Sequence, residues 1–261
     1  MKPAIVVTGA SSGIGREIAR AAVRDGQPIV LVARSKAALD ALAAELTAAG
    51  VEAVALPLDL TAPDAGTAIE TALTARRFAC DVLVNNAGFG LAGLAAELPR
   101  ADQMRLVDLN IRALTDLTLR FLPGMVARGR GGILNVGSIA GYTPGPNMAA
   151  YHASKAFVRS FSSALASEVA GTGVTITCLA PGFVRTPFLD HLPIKESRIF
   201  KAMPRADAAF TAQAGWRGFR AGRRLVIPRL IDRISAGLLM LLPPRIVPAI
   251  ATDPPAGDPK R

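Results

Sequence analysis

Tyr151 and Lys155 stand four residues apart in Tyr151-His152-Ala153-Ser154-Lys155. On a helix that spacing puts a phenol and an ammonium on one side, one turn apart. A phenol is a poor acid at neutral pH, with an ordinary pKa of about 10. A neighbouring positive charge favours the phenolate and brings proton transfer toward working pH, where acid–base catalysis is most efficient. The Tyr–Lys spacing alone is common by chance, so its company matters. Ser138 lies thirteen residues upstream, at the end of the apolar run Ile133-Leu134-Asn135-Val136-Gly137-Ser138, and Asn110 sits in a long helix-like stretch before it. His152 lies about 100° round the helix from Tyr151 and reads as a structural or surface residue.

A second constellation opens the chain. Thr8-Gly9-Ala10-Ser11-Ser12-Gly13-Ile14-Gly15 follows a strand-like run and leads into a helix-like one. Glycine at 9, 13 and 15 permits a tight turn and close approach of the backbone to a phosphate. The helix start then offers unpaired N–H groups and a positive dipole end to a pyrophosphate. Asn85-Asn86-Ala87-Gly88 and Pro181-Gly182-Phe183-Val184-Arg185-Thr186 also follow strand-like runs. Read singly, each is an ordinary turn, because Asn, Pro and Gly favour turns.

Taken together, these segments resemble the short-chain dehydrogenase/reductase family over roughly residues 3 to 228. The first turn is similar to the family's TGxxxGxG cofactor turn, residues 85–88 to its NNAG turn, and Pro181-Gly182 to its PG turn. Asn110, Ser138, Tyr151 and Lys155 match its catalytic tetrad in order and approximate spacing. The resemblance implies Tyr151 as general acid/base and Lys155 as the group that lowers its pKa and holds the nicotinamide ribose. It implies Ser138 as hydrogen-bond partner of the substrate oxygen, and Asn110 as the residue positioning a water that relays a proton to Lys155. It further implies cofactor contacts from Gly9, Ser11, Ser12, Gly13, Ile14, Gly15 and Arg16 around the pyrophosphate. Asp59 and Leu60 would lie near the adenine, Asn86, Ala87 and Gly88 in the next turn, and Pro181, Gly182, Val184 and Thr186 near the carboxamide.

Cofactor choice is readable at the end of the second strand-like run. An acid there would accept hydrogen bonds from ribose hydroxyls and repel a 2′-phosphate. Leu31-Val32-Ala33-Arg34 carries a guanidinium instead, which can pair with that phosphate, and Arg16 can assist. The expectation is an NADP(H)-dependent oxidoreductase that reduces a lipophilic ketone or 3-oxoacyl-type carbonyl, or runs the reverse reaction. A non-catalytic NADP-binding sensor or scaffold is the competing class; such proteins usually lack the Tyr or Lys of the motif.

The elements that must position these residues alternate regularly. Strands are expected at Ile5–Val7, Pro28–Ala33, Val51–Leu58, Asp81–Val84, Gly132–Val136, Val174–Leu179 and Arg224–Ile227. Helices are expected at 13–25, 36–49, 64–76, 101–128 and 150–170. That rhythm predicts an α/β, Rossmann-type, doubly wound parallel sheet of about seven strands with helices on both faces. Residues 1–228 form the cofactor-binding and catalytic domain. The irregular stretch 182–205 is a candidate lid. Residues 229–251 read as an apolar C-terminal helical appendage, and the Pro/Gly/Asp/Lys-rich 252–261 as a disordered tail. Leu230, Ile231, Ile234, Leu238, Leu241 and Leu242 recur at helical steps, edged by Arg229, Arg233 and Arg245. That segment is expected to border the substrate entrance, to touch a membrane surface, or simply to pack on the core. Helices 101–128 and 150–170 resemble the family's dimer-forming pair, which implies a homo-oligomer, dimer or tetramer; small Ala164, Ala166 and Ala170 would permit close helix approach.

Composition limits the remaining classes. The 261 residues are 51% hydrophobic and 5% aromatic, which suits aliphatic helices on a buried parallel sheet. Cys80 and Cys178 show no metal-ligand spacing and read as buried, inert thiols. The apolar part of the N-terminus is too short for a signal peptide, so a cytoplasmic protein is expected. The net charge is +10, and residues 201–261 hold eleven Lys/Arg against four Asp/Glu. No nucleic-acid recognition motif accompanies that charge, so nucleic acid is not an expected partner.

Overall fold

The computed structural model describes residues 1–190 and 204–241. Seven parallel strands form one sheet in the order β3-β2-β1-β4-β5-β6-β7. They are β1 Lys2–Thr8, β2 Ile29–Ala33, β3 Ala53–Pro57, β4 Phe78–Asn85, β5 Gly131–Val136, β6 Val174–Leu179 and β7 Leu225–Val226. The order reverses between β1 and β4, which pair from Lys2↔Phe78 to Val7↔Val84. Their carboxyl ends, Thr8 and Asn85, therefore flank the crevice where open α/β sheets bind ligands.

Helices cover both faces because the strands are apolar on both. On one side α3 (Ala65–Ala75), α5 (Leu114–Ala127) and α6 (Ala149–Glu168) pack Ile69, Leu117, Phe121, Met125 and Leu165 against Val6, Leu83 and Ile133. On the other, α1 (Gly13–Ala22), α2 (Lys36–Ala48) and the helix Ala208–Arg220 pack Ile18, Leu39, Leu46, Trp216 and Phe219 against Ile5, Leu31, Val84 and Leu134. The fold is thus the doubly wound sheet the alternation predicts.

Four differences have physical reasons. β4 begins at Phe78 rather than Asp81, because Phe78 and Cys80 are buried and extend the run past the polar Asp81. The expected helix 101–128 is interrupted: α4 (Arg100–Val107) passes through a π turn at Asp108–Ala113 before α5. Ala208–Arg220 was not expected, its Ala/Gly-rich sequence giving weak contrast. Asp207 nevertheless caps it, accepting from Ala209 N at 3.1 Å and Phe210 N at 3.2 Å. Ala166, expected at a subunit interface, is buried in the core cluster instead.

The segment read as a lid starts with the short helix Pro187–Asp190 and returns at Pro204. There Ala206 forms a parallel bridge with Val184. Its centre, 191–203, lies outside the described residues, as do 242–261 with Leu242 and Arg245. The terminal helix Leu230–Leu241 forms, as the sequence predicts, and its apolar stripe faces outward rather than onto the core. Asp232 and Ala236 are buried, the latter against Cys178, Ala180 and Ile227 with Ile139 and Tyr142 alongside. Leu230, Ile231, Ile234 and Leu238 are exposed. Among the described residues, no helix is long and apolar enough to cross a membrane. Both cysteines are buried and free. Burial pushes the Cys80 thiol up, and that of Cys178 up to about 11, so both stay protonated.

Candidate active site

The glycine turn and the Asn-rich turn are knitted together at the sheet's reversal point. Thr8 Oγ1 donates to Val84 O at 3.0 Å and accepts from Asn86 N at 2.9 Å and Ala87 N at 3.1 Å. Asn86 Nδ2 donates to Thr8 O at 2.9 Å and Gly9 O at 3.1 Å. Asn86 therefore holds the first turn in place. Gly9 has a φ of +65°, and a Cβ there would lie 2.7 Å from Asn86 Nδ2 and 2.9 Å from Ala87 Cα. Gly13, at φ +54°, sits under Thr186, whose Cγ2 would be 3.0 Å from an added Cβ. Three segments distant in sequence thus meet around one cradle.

A nicotinamide dinucleotide fits this cradle on several grounds. Ser12 precedes α1 without a side-chain capping bond, and the first turn of α1 holds no acid. Its leading N–H groups are available to an anion. Arg16 is anchored to Ser11 O while its buried Nε has no partner. Exposed Arg34 stands at the end of β2, close enough to Asp59 to help hold that carboxyl below the usual range. The larger cause of that lowering is Asp59's own turn, where Oδ1 accepts from Thr61 N at 2.9 Å and Oγ1 at 2.8 Å. Leu60 beside it is buried. Ile14 and Gly15 continue α1 beyond the turn, with Gly15 packed against Asn86.

The catalytic candidates converge at the neighbouring strand ends. α6 carries Tyr151 and Lys155 one turn apart. Lys155 is buried and donates from Nζ to Val136 O at 2.9 Å, with Nζ 5.8 Å from the centre of the Tyr151 ring. Burial lowers its pKa to about 8. Ser138 follows β5; its Oγ accepts from Ala140 N at 3.1 Å and hydrogen-bonds Tyr151. Burial pushes the Tyr151 phenol up to about 12, and the Ser138 bond opposes this. In the protein alone, then, desolvation outweighs the Ser138 hydrogen bond. The phenol is held protonated, ready to donate.

Asn110 lies inside the π turn, 2% exposed. Its Nδ2 donates to Phe89 O at 3.0 Å and Ser154 Oγ at 3.1 Å, while Oδ1 accepts from Phe89 N at 3.1 Å. The side chain is fully engaged there, so it acts as a positioning residue for the Gly88–Phe89 backbone and α6. A Cβ on Gly88 would lie 3.0 Å from Asn110 Oδ1 and 3.8 Å from Lys155 Nζ, so the three are mutual neighbours. His152 is structural: Nδ1 lies 2.9 Å from Thr143 O, tying α6 to the 139–145 segment.

Pro181 O accepts from Ile139 N at 2.9 Å and Ser138 Oγ at 3.4 Å, which joins the PG turn to the catalytic serine. Val184 and Thr186 follow, the latter's Oγ1 3.4 Å from Val184 O. An added Cβ at Gly182 would sit 2.5 Å from Asp232 Oδ1 of the terminal helix. Asp232 forms a bidentate pair with Arg229 at 2.7 and 2.8 Å, and Arg229 also donates to Pro204 O at 2.7 Å. Sequence reasoning placed Thr8 in the first turn without its contacts, and missed the roles of Ser154 and of the Arg229–Asp232 pair. Nothing in the order of residues brings Asp232 to Gly182.

The Tyr151 ring lies against that of Phe188, with ring centres 5.5 Å apart. Phe188, Phe183 and Met148 pack with buried Ala92 and Leu189 into one apolar cluster. A cavity of about 360 Å³ opens beyond Thr186, lined by Arg185, Thr186, Pro187, Leu189 and Arg205. Among the described residues no group of three or more His, Cys, Asp or Glu is placed to hold a metal.

A dinucleotide cradle at the reversal point of a doubly wound sheet, beside a Ser–Tyr–Lys group, defines a nicotinamide-dependent oxidoreductase acting on carbonyl or alcohol groups. Residues 3–197 match the short chain dehydrogenase family, and the chain belongs to it. It is 37% identical to a sulfoacetaldehyde reductase of Chromohalobacter salexigens over 215 residues, covering 82% of this chain and 85% of the relative. It is similar to a short-chain dehydrogenase from Sphingobium yanoikuyae solved with NADPH, with TM-score 0.78 and 34% identity over 92% of this chain and 96% of that one. A 3-ketoacyl-(acyl-carrier-protein) reductase from Brucella melitensis, solved with NADH, gives TM-score 0.74 and 31% identity over 86% and 94%. These relatives differ in substrate and in cofactor, so both must be argued from this chain's own residues.

Proposed function

We propose that this chain is an NADPH-dependent reductase of lipophilic ketones or 3-oxoacyl-type carbonyls, working reversibly. The observation that carries the substrate class is the apolar wall of Phe188, Phe183, Met148, Leu189 and Ala92 beside Tyr151. Such a wall gains free energy by covering apolar substrate surface, at roughly 25 cal/mol per Å². Held by the glycine turn, Arg16, Arg34 and Lys155, a bound NADPH would supply the hydride for the carbonyl carbon. Tyr151 gives its phenolic proton to the carbonyl oxygen as the alcohol forms, Ser138 holds that oxygen, and Lys155 carries positive charge behind the phenol. The presence of both Tyr151 and Lys155 in the site argues against a purely cofactor-sensing role. The two free thiols agree with a reducing, cytoplasmic setting.

The preference for NADPH rests on Arg34 and Arg16. Arg34→Asp removes a charge-assisted pair and adds repulsion, so kcat/KM with NADPH should fall roughly 10- to 100-fold. The value with NADH should rise or hold. A parent enzyme equally efficient with NADH overturns the cofactor assignment. The substrate class is tested by following NADPH oxidation over ketones graded in size and polarity. Bulky aryl-alkyl and long-chain ketones should give the highest kcat/KM; best turnover of short polar aldehydes would overturn it.

A further inference from the structure

The terminal helix Leu230–Leu241 is built inside out for a helix that only packs on a core. Its acid, Asp232, is 5% exposed and Ala236 is 2% exposed, while Leu230, Ile231, Ile234 and Leu238 are 69, 52, 51 and 58% exposed. At 100° per residue those four side chains fall within an arc of about 100°, a single stripe. Among the described residues, covering that stripe would need the helix to roll. It cannot do so while Arg229 grips Asp232 and Pro204 O, and Arg233 Nε donates to Ile227 O at 2.8 Å.

The chain around the stripe is cationic in sequence. Arg223 and Arg224 are exposed beside Leu225, itself 45% exposed, five to seven residues before the helix, and Arg233 is an exposed residue of the helix itself. Residues 201–261 carry eleven Lys/Arg against four Asp/Glu. An exposed apolar stripe edged by arginine is the composition of a helix that lies in a membrane interface. The same helix packs against Ile139 and Tyr142, just after Ser138, and against Gly182.

We propose that the face formed by Leu230, Ile231, Ile234 and Leu238 docks the enzyme on an anionic lipid surface, beside the entrance to its apolar site. Docking there would bring the cleft to the phase in which apolar carbonyl compounds concentrate. The docking itself does not depend on the substrate reading, and its test uses no substrate.

The test is co-sedimentation of the full chain with vesicles of phosphatidylcholine, with and without 30% phosphatidylglycerol. The protein should pellet with the anionic vesicles, and more weakly as salt rises. The triple variant Leu230→Ser, Ile234→Ser, Leu238→Ser changes only exposed side chains and should remain folded by circular dichroism. Its partition coefficient should fall at least about 100-fold. Arg223→Glu with Arg224→Glu should lower it too, by about 30-fold at low salt. Absence of the parent protein from the anionic pellet at low salt overturns the proposal. So does equal pelleting of the triple variant. A triple variant that leaves vesicle binding unchanged but shifts the protein to a smaller species on light scattering assigns the face to a second copy, and also overturns it.

Discussion

Lys155 is buried and Tyr151 half-buried, and desolvation acts on them in opposite directions because it always disfavours the charged form. The lysine falls to about 8 and the tyrosine rises to about 12. Folding therefore removes a proton from Lys155 between about pH 8 and the unfolded value near 10.5. In that window the unfolded chain binds more protons, so Lys155 makes stability rise with pH, by about 1.4 kcal/mol per pH unit. Thermal unfolding of the parent and of Lys155→Met, compared from pH 7 to 10.5 without cofactor, should show the parent gaining on the variant above pH 8. Parallel curves would mean the ammonium is not desolvated. Tyr151→Phe removes the proton donor and leaves the ring against Phe188. It should lower kcat about 10²- to 10⁴-fold with NADPH affinity within about twofold, read by fluorescence titration. A rate near the parent's would point to another proton source.

At the scale of elements, the terminal helix reaches into the site through one ion pair. Asp232 lies against Gly182, and Arg229 joins it to Pro204, two residues before the bridge to Val184. We expect Asp232→Asn, which keeps the shape and loses the charge, to cost about 1.5–3 kcal/mol of stability. Because the pair steadies the turn that carries Val184 and Thr186, it should also raise KM for NADPH several-fold with kcat little changed. A lower melting temperature with an unaltered KM would make the pair structural only. The sequence makes most of this scaffold readable, since each glycine or asparagine turn follows a strand whose apolar run is unmistakable. Tyr151 and Lys155 are readable because helical spacing is local. What escapes the sequence is contact between distant segments: Thr8 beneath Asn86 and Ala87, Ser154 on Asn110, Asp232 under Gly182. The facing of the terminal helix escapes for a related reason. Periodicity finds its apolar stripe but not the direction the stripe faces, and that direction is set by Arg229 and Asp232. The π turn at Asp108–Ala113 leaves no mark in composition at all, though it carries Asn110.

At the scale of the molecule, a second apolar surface remains on the helices expected to pair subunits. α5 exposes Leu119 and Val126, seven residues apart on one face, and α4 exposes Met104. α6 brings the stacked, half-buried Phe157 and Phe161, with ring centres 5.4 Å apart, and exposed Ala164. Ala164 and Ala170 remain at the surface, where small side chains let a partner helix approach closely, whereas Ala166 does not. This face is distinct in sequence from the terminal-helix stripe, so the two can be tested separately. We expect a homo-oligomer assembled through α5 and α6. Each Leu or Val covered fully there contributes about 1.5–3 kcal/mol, and a symmetric interface counts each contact twice. Leu119→Glu with Val126→Glu should therefore yield a monomer by light scattering at micromolar concentration while vesicle binding through the terminal helix persists. If the parent is already monomeric, or the double variant keeps the parent's mass, the subunits do not meet at this face. If monomer formation also abolishes vesicle binding, the two surfaces act together, and avidity from two terminal helices rather than one sets the lipid affinity.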